Sequence, residues 1–417
     1  MRLREIISRL ILLLAVMSLA ACANFRRLGD DLEAFEDARV SVNGVVSVEG
    51  DGSQPLVVLF IEGQEVGSVS SIRVLSGAGE FEMIVNRVGG KFFAFIDSNR
   101  DLRFQSDEQY GWYKDGDLFS VGENEITGKI DIQISAGSRQ PPPVFLIDVS
   151  LAEVVNFRQI NIGVIASFDE ERFSPESATQ GMWQPYKSVN DGYAGLFLLE
   201  PYDANRIPVV LVHGMNGTPR SFQSIVDTLD QSRYQVWFLN YPSGFGLRIV
   251  GRFLYQAMEL LQYRYSFDQA HVIAHSMGGL VSREYLNNCT EQNRCDYLQS
   301  YTSIASPYGG MASASMGVEY APNAIPVWID LSPGSPFLLN LFAEDIPADI
   351  RFNLVFAFHN EGMIGAASSD GTVPLLSQLR PEAQAQADRL LGIDQTHVGV
   401  LEDAAFLNEL EELLVVD

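Results

Sequence analysis

At 417 residues, 47% hydrophobic and 11% aromatic, the chain is long enough for two domains with sizeable cores. Its 28 basic and 53 acidic residues leave a formal net charge of −25. So acidic a balance argues against nucleic acid as a partner and against electrostatic docking on anionic lipid, and no low-complexity tract or clear internal repeat appears.

The first segment reads as a signal. Arg2, Arg4 and Arg9 form a positive region, Leu10 to Leu19 an apolar one, and Leu19-Ala20-Ala21-Cys22 closes it. That apolar run is too short to cross the hydrocarbon of a bilayer, so residues 1–21 are expected to be removed. The ending resembles a bacterial lipobox, which implies cleavage before Cys22 and lipidation of its sulfur and new amino group. With Ala23 rather than Asp next, the resemblance also implies a protein held in the cell envelope at the outer membrane. Several acyl chains, each methylene worth ~0.8 kcal/mol, anchor such a protein stably. A plain signal peptide is the alternative. Losing three arginines and one glutamate leaves 25 basic and 52 acidic residues, a net of −27.

With Cys22 spent, Cys289 and Cys295 remain in a polar stretch. In an oxidising compartment they are expected to pair as a disulfide, worth ~2 kcal/mol in so small a loop. A metal pair is the alternative, and no further Cys or His stands nearby to complete it.

Residues 22–39 are polar and charged, a tether with some helical character. Residues 40–150 then carry short β-rich runs: Val40–Val48, Leu56–Ile61, Phe81–Val85, Phe92–Ile96 and Ile126–Ile134. Turn signals such as Gly50-Asp-Gly52 and Gly89-Gly90 separate them, which predicts a small antiparallel β-sandwich. Within it, Asp97, Asn99, Asp101 and Glu108 have the spacing of a calcium loop, in which oxygens converge on a large hard cation. Leu102 stands where such a loop needs glycine, and a solvated acidic hairpin is the competing reading. Pro141-Pro142-Pro143 marks a boundary, and residues 151–190 read as a connector.

From Tyr193 strands and helices alternate, so residues 191–417 are expected as a mostly parallel sheet with helices on both faces. Gly195–Leu199, Pro208–Val212, Gln235–Leu239, Tyr301–Ile304 and Asn353–Phe358 read as strands. Thr218 is expected to cap a helix begun by Pro219. The stretch His271-Val-Ile-Ala-His-Ser-Met-Gly-Gly279 passes from a buried strand into a helix at Ser276, with small Ala274 and Gly278 on either side. A serine at such a turn is a nucleophile held in a cramped conformation. Taken alone it reads equally as a helix cap.

A serine nucleophile needs a base, and the base an acid to orient it. His271 begins the strand leading to Ser276, His275 is expected to project away from it, His213 belongs to an earlier turn, and His359 precedes the Asp-Gly turn at Asp370. His397 alone gives the chain order serine, aspartate, histidine with Ser276 and Asp370. The developing oxyanion needs fixed N–H donors. The Met277 amide, next after the serine, is one. The Met215 amide, in the His213-Gly214 turn where glycine lets the backbone approach, is the other.

Five stretches carry a family resemblance: Val210-Leu-Val-His-Gly214, Ala274-His-Ser-Met-Gly-Gly279, Ser306-Pro-Tyr-Gly-Gly310, Ser369-Asp-Gly-Thr-Val-Pro374 and Thr396-His-Val398. Over about residues 193–417 they resemble the α/β-hydrolase superfamily, and within it the lipase and GPI inositol-deacylase-like esterases. Ala274 replaces the usual first glycine. The resemblance implies an α/β-hydrolase fold, no required cofactor, and an acyl ester or lipid substrate. The apolar, loop-rich stretch from Pro307 to Pro347 would then form a lid or acyl-binding wall. The expected activity is ester hydrolysis through an acyl-enzyme. Acyl transfer by the same residues and a non-catalytic envelope-binding lipoprotein are the rivals.

Overall fold

The computed structural model describes residues 23–62, 69–121, 129–135, 141–143, 146–147, 151, 160–292, 295–359 and 368–415. The signal segment and the expected lipidation at Cys22 lie outside the described residues. Two compact units make up the chain: Glu33–Asn161 with Gln256–Ser266, and a larger one holding the residues up to Leu32, Ile162–Tyr255 and Phe267–Asp417.

The smaller unit is built from two sheets. One has the order β4-β1-β8, from Gly79–Asn86 (β4), Arg39–Val48 (β1) and Ile130–Ile134 (β8). The other has the order β3-β2-β5-β6, from Val69–Leu75 (β3), Leu56–Glu62 (β2), Val88–Ile96 (β5) and Tyr110–Trp112 (β6), with Phe119–Ser120 (β7) also on β5. Alternate residues of β4 and β8 are buried, as strands with one wet face require. Strand β2 is buried on both sides: Val58 and Phe60 pack in one cluster with Val42, Phe81 and Phe92, while Val57 and Leu59 pack in another with Phe93, Phe95 and Phe104. Among these strands the pairing is antiparallel except for β1 and β8, which run parallel. Strand β3 was not expected; its mixed Ser-Ser-Ile-Arg sequence hides the alternation.

The calcium ligand set expected at Asp97, Asn99, Asp101 and Glu108 is not assembled. Among the described residues no three or more His, Cys, Asp or Glu are arranged to hold a metal ion. The loop's own N–H groups take up the oxygens. The Asp97 carboxylate accepts from the amides of Asp101 and Leu102, Asn99 Oδ1 from Asp101, Asp101 Oδ1 from Arg103, and Glu108 Oε2 from Gln105. Leu102 adopts φ 54° and buries its side chain, so the glycine position is filled by a hydrophobic anchor.

The larger unit is organised by an eight-stranded sheet: Ile160–Ile165 (β9), Ala194–Leu198 (β10), Ile207–Val212 (β11), Tyr234–Asn240 (β12), Ala270–His275 (β13), Leu298–Ile304 (β14), Arg351–Ala357 (β15) and Arg389–Ile393 (β16). Their spatial order is β9-β10-β12-β11-β13-β14-β15-β16. Strand β10 is antiparallel to β12, and from β12 through β16 every pairing is parallel. Strands β12 and β13 are buried at every position, as expected of strands covered on both faces. One covering layer includes Phe222, Ile225, Phe406, Leu410 and Leu413 against Val209, Leu211, Ile273 and Val355. Burying each such side chain is worth about 2 kcal/mol.

From β11 the chain goes to β12 on one side and later to β13 on the other. The loops leaving the carboxyl ends of β11 and β13 therefore diverge, and the crevice between them is where sheets of this kind place ligands. Residues 23–38, expected as a tether, are helical. Pro175–Trp183 and Pro185–Asn190, within the expected connector, are helices, the first capped by Ser174 Oγ. Thr218 makes no side-chain cap; Pro219–Phe222 is a 3₁₀ turn leading into Gln223–Thr228. The apolar stretch after Pro307 forms three short helices, Ala312–Tyr320, Pro326–Leu331 and Pro336–Asn340.

Candidate active site

Ser276 follows β13 directly and has φ 56°, a left-handed conformation that costs a non-glycine residue of order 1 kcal/mol. Its N–H donates to Ile304 O at 2.7 Å, and its carbonyl accepts from Gly279 N at 2.9 Å, so the strained turn is held from both sides. The helix Met277–Gln292 then leaves at once across the end of β11. A Cβ on Gly278 would stand 2.2 Å from Val212 O and 2.6 Å from His213 O, and one on Gly214 2.7 Å from Ser276 Cβ. These two glycines let the elbow and the β11 turn touch. Ala274 is fully buried, paired with Val212 and Ser303 in the flanking strands.

His397, on the loop after β16, brings Nε2 to 2.9 Å from Ser276 Oγ across 121 positions of sequence. Its Nδ1 lies 2.7 Å from Asp370 Oδ2. The carboxylate accepts, so Nδ1 carries the proton and Nε2 is free to receive the serine's. Asp370 is 1% exposed, and its other oxygen accepts from the amides of Thr372 at 2.8 Å and Val373 at 2.6 Å. Gln378 Nε2 donates to Asp370 Oδ2 at 3.1 Å and to Ala357 O at 2.9 Å, while its Oε1 accepts from Ala357 N. Gln378 thus clamps the acid to β15. Sequence reasoning missed it, because a glutamine in Leu-Leu-Ser-Gln carries no signal until the turn at Asp370 folds over it.

The β11 turn is fixed by a second histidine. His213 Nε2 accepts from the Tyr241 amide at 3.3 Å, so its proton sits on Nδ1, which donates to Gly214 O at 2.8 Å. Gly217 N also donates to Gly214 O, and the rings of His213 and Tyr241 stack with centroids 4.3 Å apart. Burial pushes the His213 imidazole down to about 4, keeping it a neutral donor. Because a trans peptide sets C=O and N–H on opposite edges, anchoring Gly214 O turns the Met215 N–H the other way. Among the described residues neither the Met215 nor the Met277 amide hydrogen-bonds to another group.

None of the remaining histidines hydrogen-bonds Ser276 Oγ or the Asp370 carboxylate among the described residues. His271 is bonded to Ser300 Oγ, and His359 faces Asp394 at the surface. His275 is buried, its Nε2 2.8 Å from the carbonyl of His397. Cys289 and Cys295 are joined by a disulfide, with Cα atoms 5.3 Å apart.

A family model described as an alpha/beta hydrolase of unknown function (DUF915) matches residues 250–379. The larger unit has the α/β-hydrolase fold. Among solved structures, the chain is similar to the mature lipase BlEst2 of Bacillus licheniformis at 16% identity and a TM-score of 0.41, over 53% of this chain and 98% of that one. It is similar to the product of the gene lin2722 of Listeria innocua at 18% identity and a TM-score of 0.39, over 51% and 96%. For lipase B of Aspergillus fumigatus the values are 16%, 0.36, 49% and 51%. Comparison with curated proteins gives no match.

Proposed function

We propose that this α/β hydrolase is a serine ester hydrolase acting through an acyl-enzyme. The observation that carries the reading is the contact chain from strained Ser276 through His397 to buried Asp370. As Ser276 Oγ attacks the acyl carbonyl, His397 Nε2 takes its proton, and the imidazolium is held and oriented by Asp370. The carbonyl oxygen becomes an oxyanion, received by the Met215 and Met277 amides. Collapse expels the alcohol, which leaves with the proton from Nε2. Water then attacks the acyl-serine, His397 takes a proton from it, and the acid departs as Oγ regains its proton. Every step is served by groups of this chain.

An apolar acyl group is the substrate class favoured. Met316, Tyr320, Ile329 and Leu339, on the three short helices after Pro307, leave large apolar side chains exposed, while Val327, Phe337 and Leu338 beside them form core. The protein's place would be the cell envelope, held by lipid on Cys22, which Cys22→Ser and palmitate labelling of the expressed protein test directly.

The decisive measurement is hydrolysis of p-nitrophenyl esters of increasing chain length by the wild type and Ser276→Ala. Turnover lost in the variant is the expected outcome; equal rates overturn the reading. A rate that rises with chain length identifies long acyl groups as the substrate.

A further inference from the structure

His275 takes no part in the reaction above, yet it precedes the nucleophile in the chain and packs against the base. Its ring centroid is 4.7 Å from that of His397, and its Nε2 lies 2.8 Å from the His397 carbonyl oxygen. A carbonyl only accepts, so Nε2 carries the proton and the ring is the donor. Burial and the neighbouring His397 push the imidazole down to about 3, so this donor stays neutral across the working range.

His397 is tied to its acid twice, by the side-chain contact and by its own N–H donating to Asp370 O at 2.9 Å. Among the described residues only two hydrogen bonds join it to the nucleophile's strand end: Ser276 Oγ to Nε2, and His275 Nε2 to its carbonyl. The first is lost whenever Ser276 is acylated, because Oγ is then an ester oxygen whose proton has left on the alcohol. During that interval the second alone keeps the base in register with β13. Register matters most then, since His397 must orient a water against the acyl carbon, and small misplacements of a catalytic group cost large factors in rate.

Resting on the acyl-enzyme reading, we propose that His275 is a positioning residue that holds His397 over the acylated serine and so speeds deacylation. Acylation depends on it less, because the Ser276–His397 bond is then intact.

The two steps are read separately. The rate constant kcat/KM for p-nitrophenyl acetate reports acylation, and the decay of the acetyl adduct after stoichiometric labelling, followed by intact-protein mass spectrometry, reports deacylation. For His275→Phe, which keeps the ring and removes the donor, we expect an adduct lifetime extended about tenfold or more with kcat/KM changed by less than about threefold. His275→Gln, whose amide donor reaches nearly as far, restores most of the deacylation rate. His275→Asn, one methylene shorter, does not, and this pair makes the test if the Phe variant fails to fold. An unchanged adduct lifetime, or a loss in kcat/KM as large as the loss in deacylation, overturns the proposal. The underlying reading fails separately: no adduct on Ser276 in the wild type, or full turnover by Ser276→Ala, removes the acyl-enzyme itself.

Discussion

Asp97 in the smaller unit and Asp370 in the larger one begin alike and end differently. Both are buried aspartates in tight turns, 0% and 1% exposed, and both receive two main-chain N–H groups from within five residues. Asp97 divides those two bonds between its oxygens, and the Tyr263 hydroxyl, 166 positions on, reaches it as well. Asp370 takes both on one oxygen and leaves the other for His397, 27 positions on, and Gln378. The two turns differ in the distant group that meets the carboxylate: a phenol at Asp97, and at Asp370 an imidazole whose proton the carboxylate orients.

That contrast is sharpest in turnover. Asp370→Asn keeps the turn but loses the charge that holds the His397 tautomer, and ester hydrolysis is expected to fall by about 10³- to 10⁴-fold. Asp97→Asn is expected to leave kcat within about twofold, measured on the same ester at the same folded fraction. A comparable loss from Asp97→Asn would break the distinction.

Much of the larger unit was legible because its chemistry sits on regular elements. Strand β13 is a short run buried at every position, Ser276 follows it at once, and glycine at 278 is forced by backbone oxygens 2.2 and 2.6 Å from its missing side chain. The outer strands β9 and β16 escaped notice: Arg-Leu-Leu-Gly-Ile at an edge leaves several side chains partly exposed, so no buried run announces it. The bonds that orient the site were also hidden. Gln378, Tyr241 and the carbonyl of His397 act through contacts spanning 8, 28 and 122 positions, and residue spacing says nothing about such closures. In the smaller unit the acidic pattern at Asp97 reads two ways. Alternating Asp, Asn and Asp look the same in a metal loop and in a chain of side-chain-capped turns, because both need short side chains with oxygens at every second position.

The next largest expected effect is on stability. Gly278→Ala drives a methyl into the end of β11, where both obstructing atoms are backbone, and is expected to cost several kcal/mol in denaturant unfolding of the larger unit. Gly50, in the smaller unit, has φ 116° but nothing within 4 Å of an added Cβ. Gly50→Ala therefore costs only backbone strain, of order 1 kcal/mol. Equal losses from the two substitutions would mean that close approach is not what glycine 278 provides.

Acid is expected to act on the two units with opposite sign. In the larger one, burial holds His213 and His271 at about 4 and His275 at about 3. The unfolded chain binds a proton at each near 6.5 while the native state does not, so stability falls as pH drops below 6.5, by about 2 kcal/mol per histidine at pH 5. Asp31, Glu284 and Asp330 are raised by burial and pull the other way, so the slope is best read at β13 itself. In the smaller unit, burial raises Glu108 to about 7, helped by the charges of Asp97, Asp101 and Asp107, and burial raises Asp97 as well. There the native state holds protons that the unfolded chain releases, so stability rises as pH falls from above 7 toward the ordinary carboxylate range. Hydrogen exchange at pH 7.5 and 5.5, corrected for intrinsic rates, separates the two: protection of β13 amides is expected to drop and that of amides 101–108 to rise. Glu108→Gln should remove most of the second change and none of the first. If the loop's protection responds to pH as before in that variant, the buried carboxyl of Glu108 is not its cause, and the contrast between the units reduces to the histidines alone.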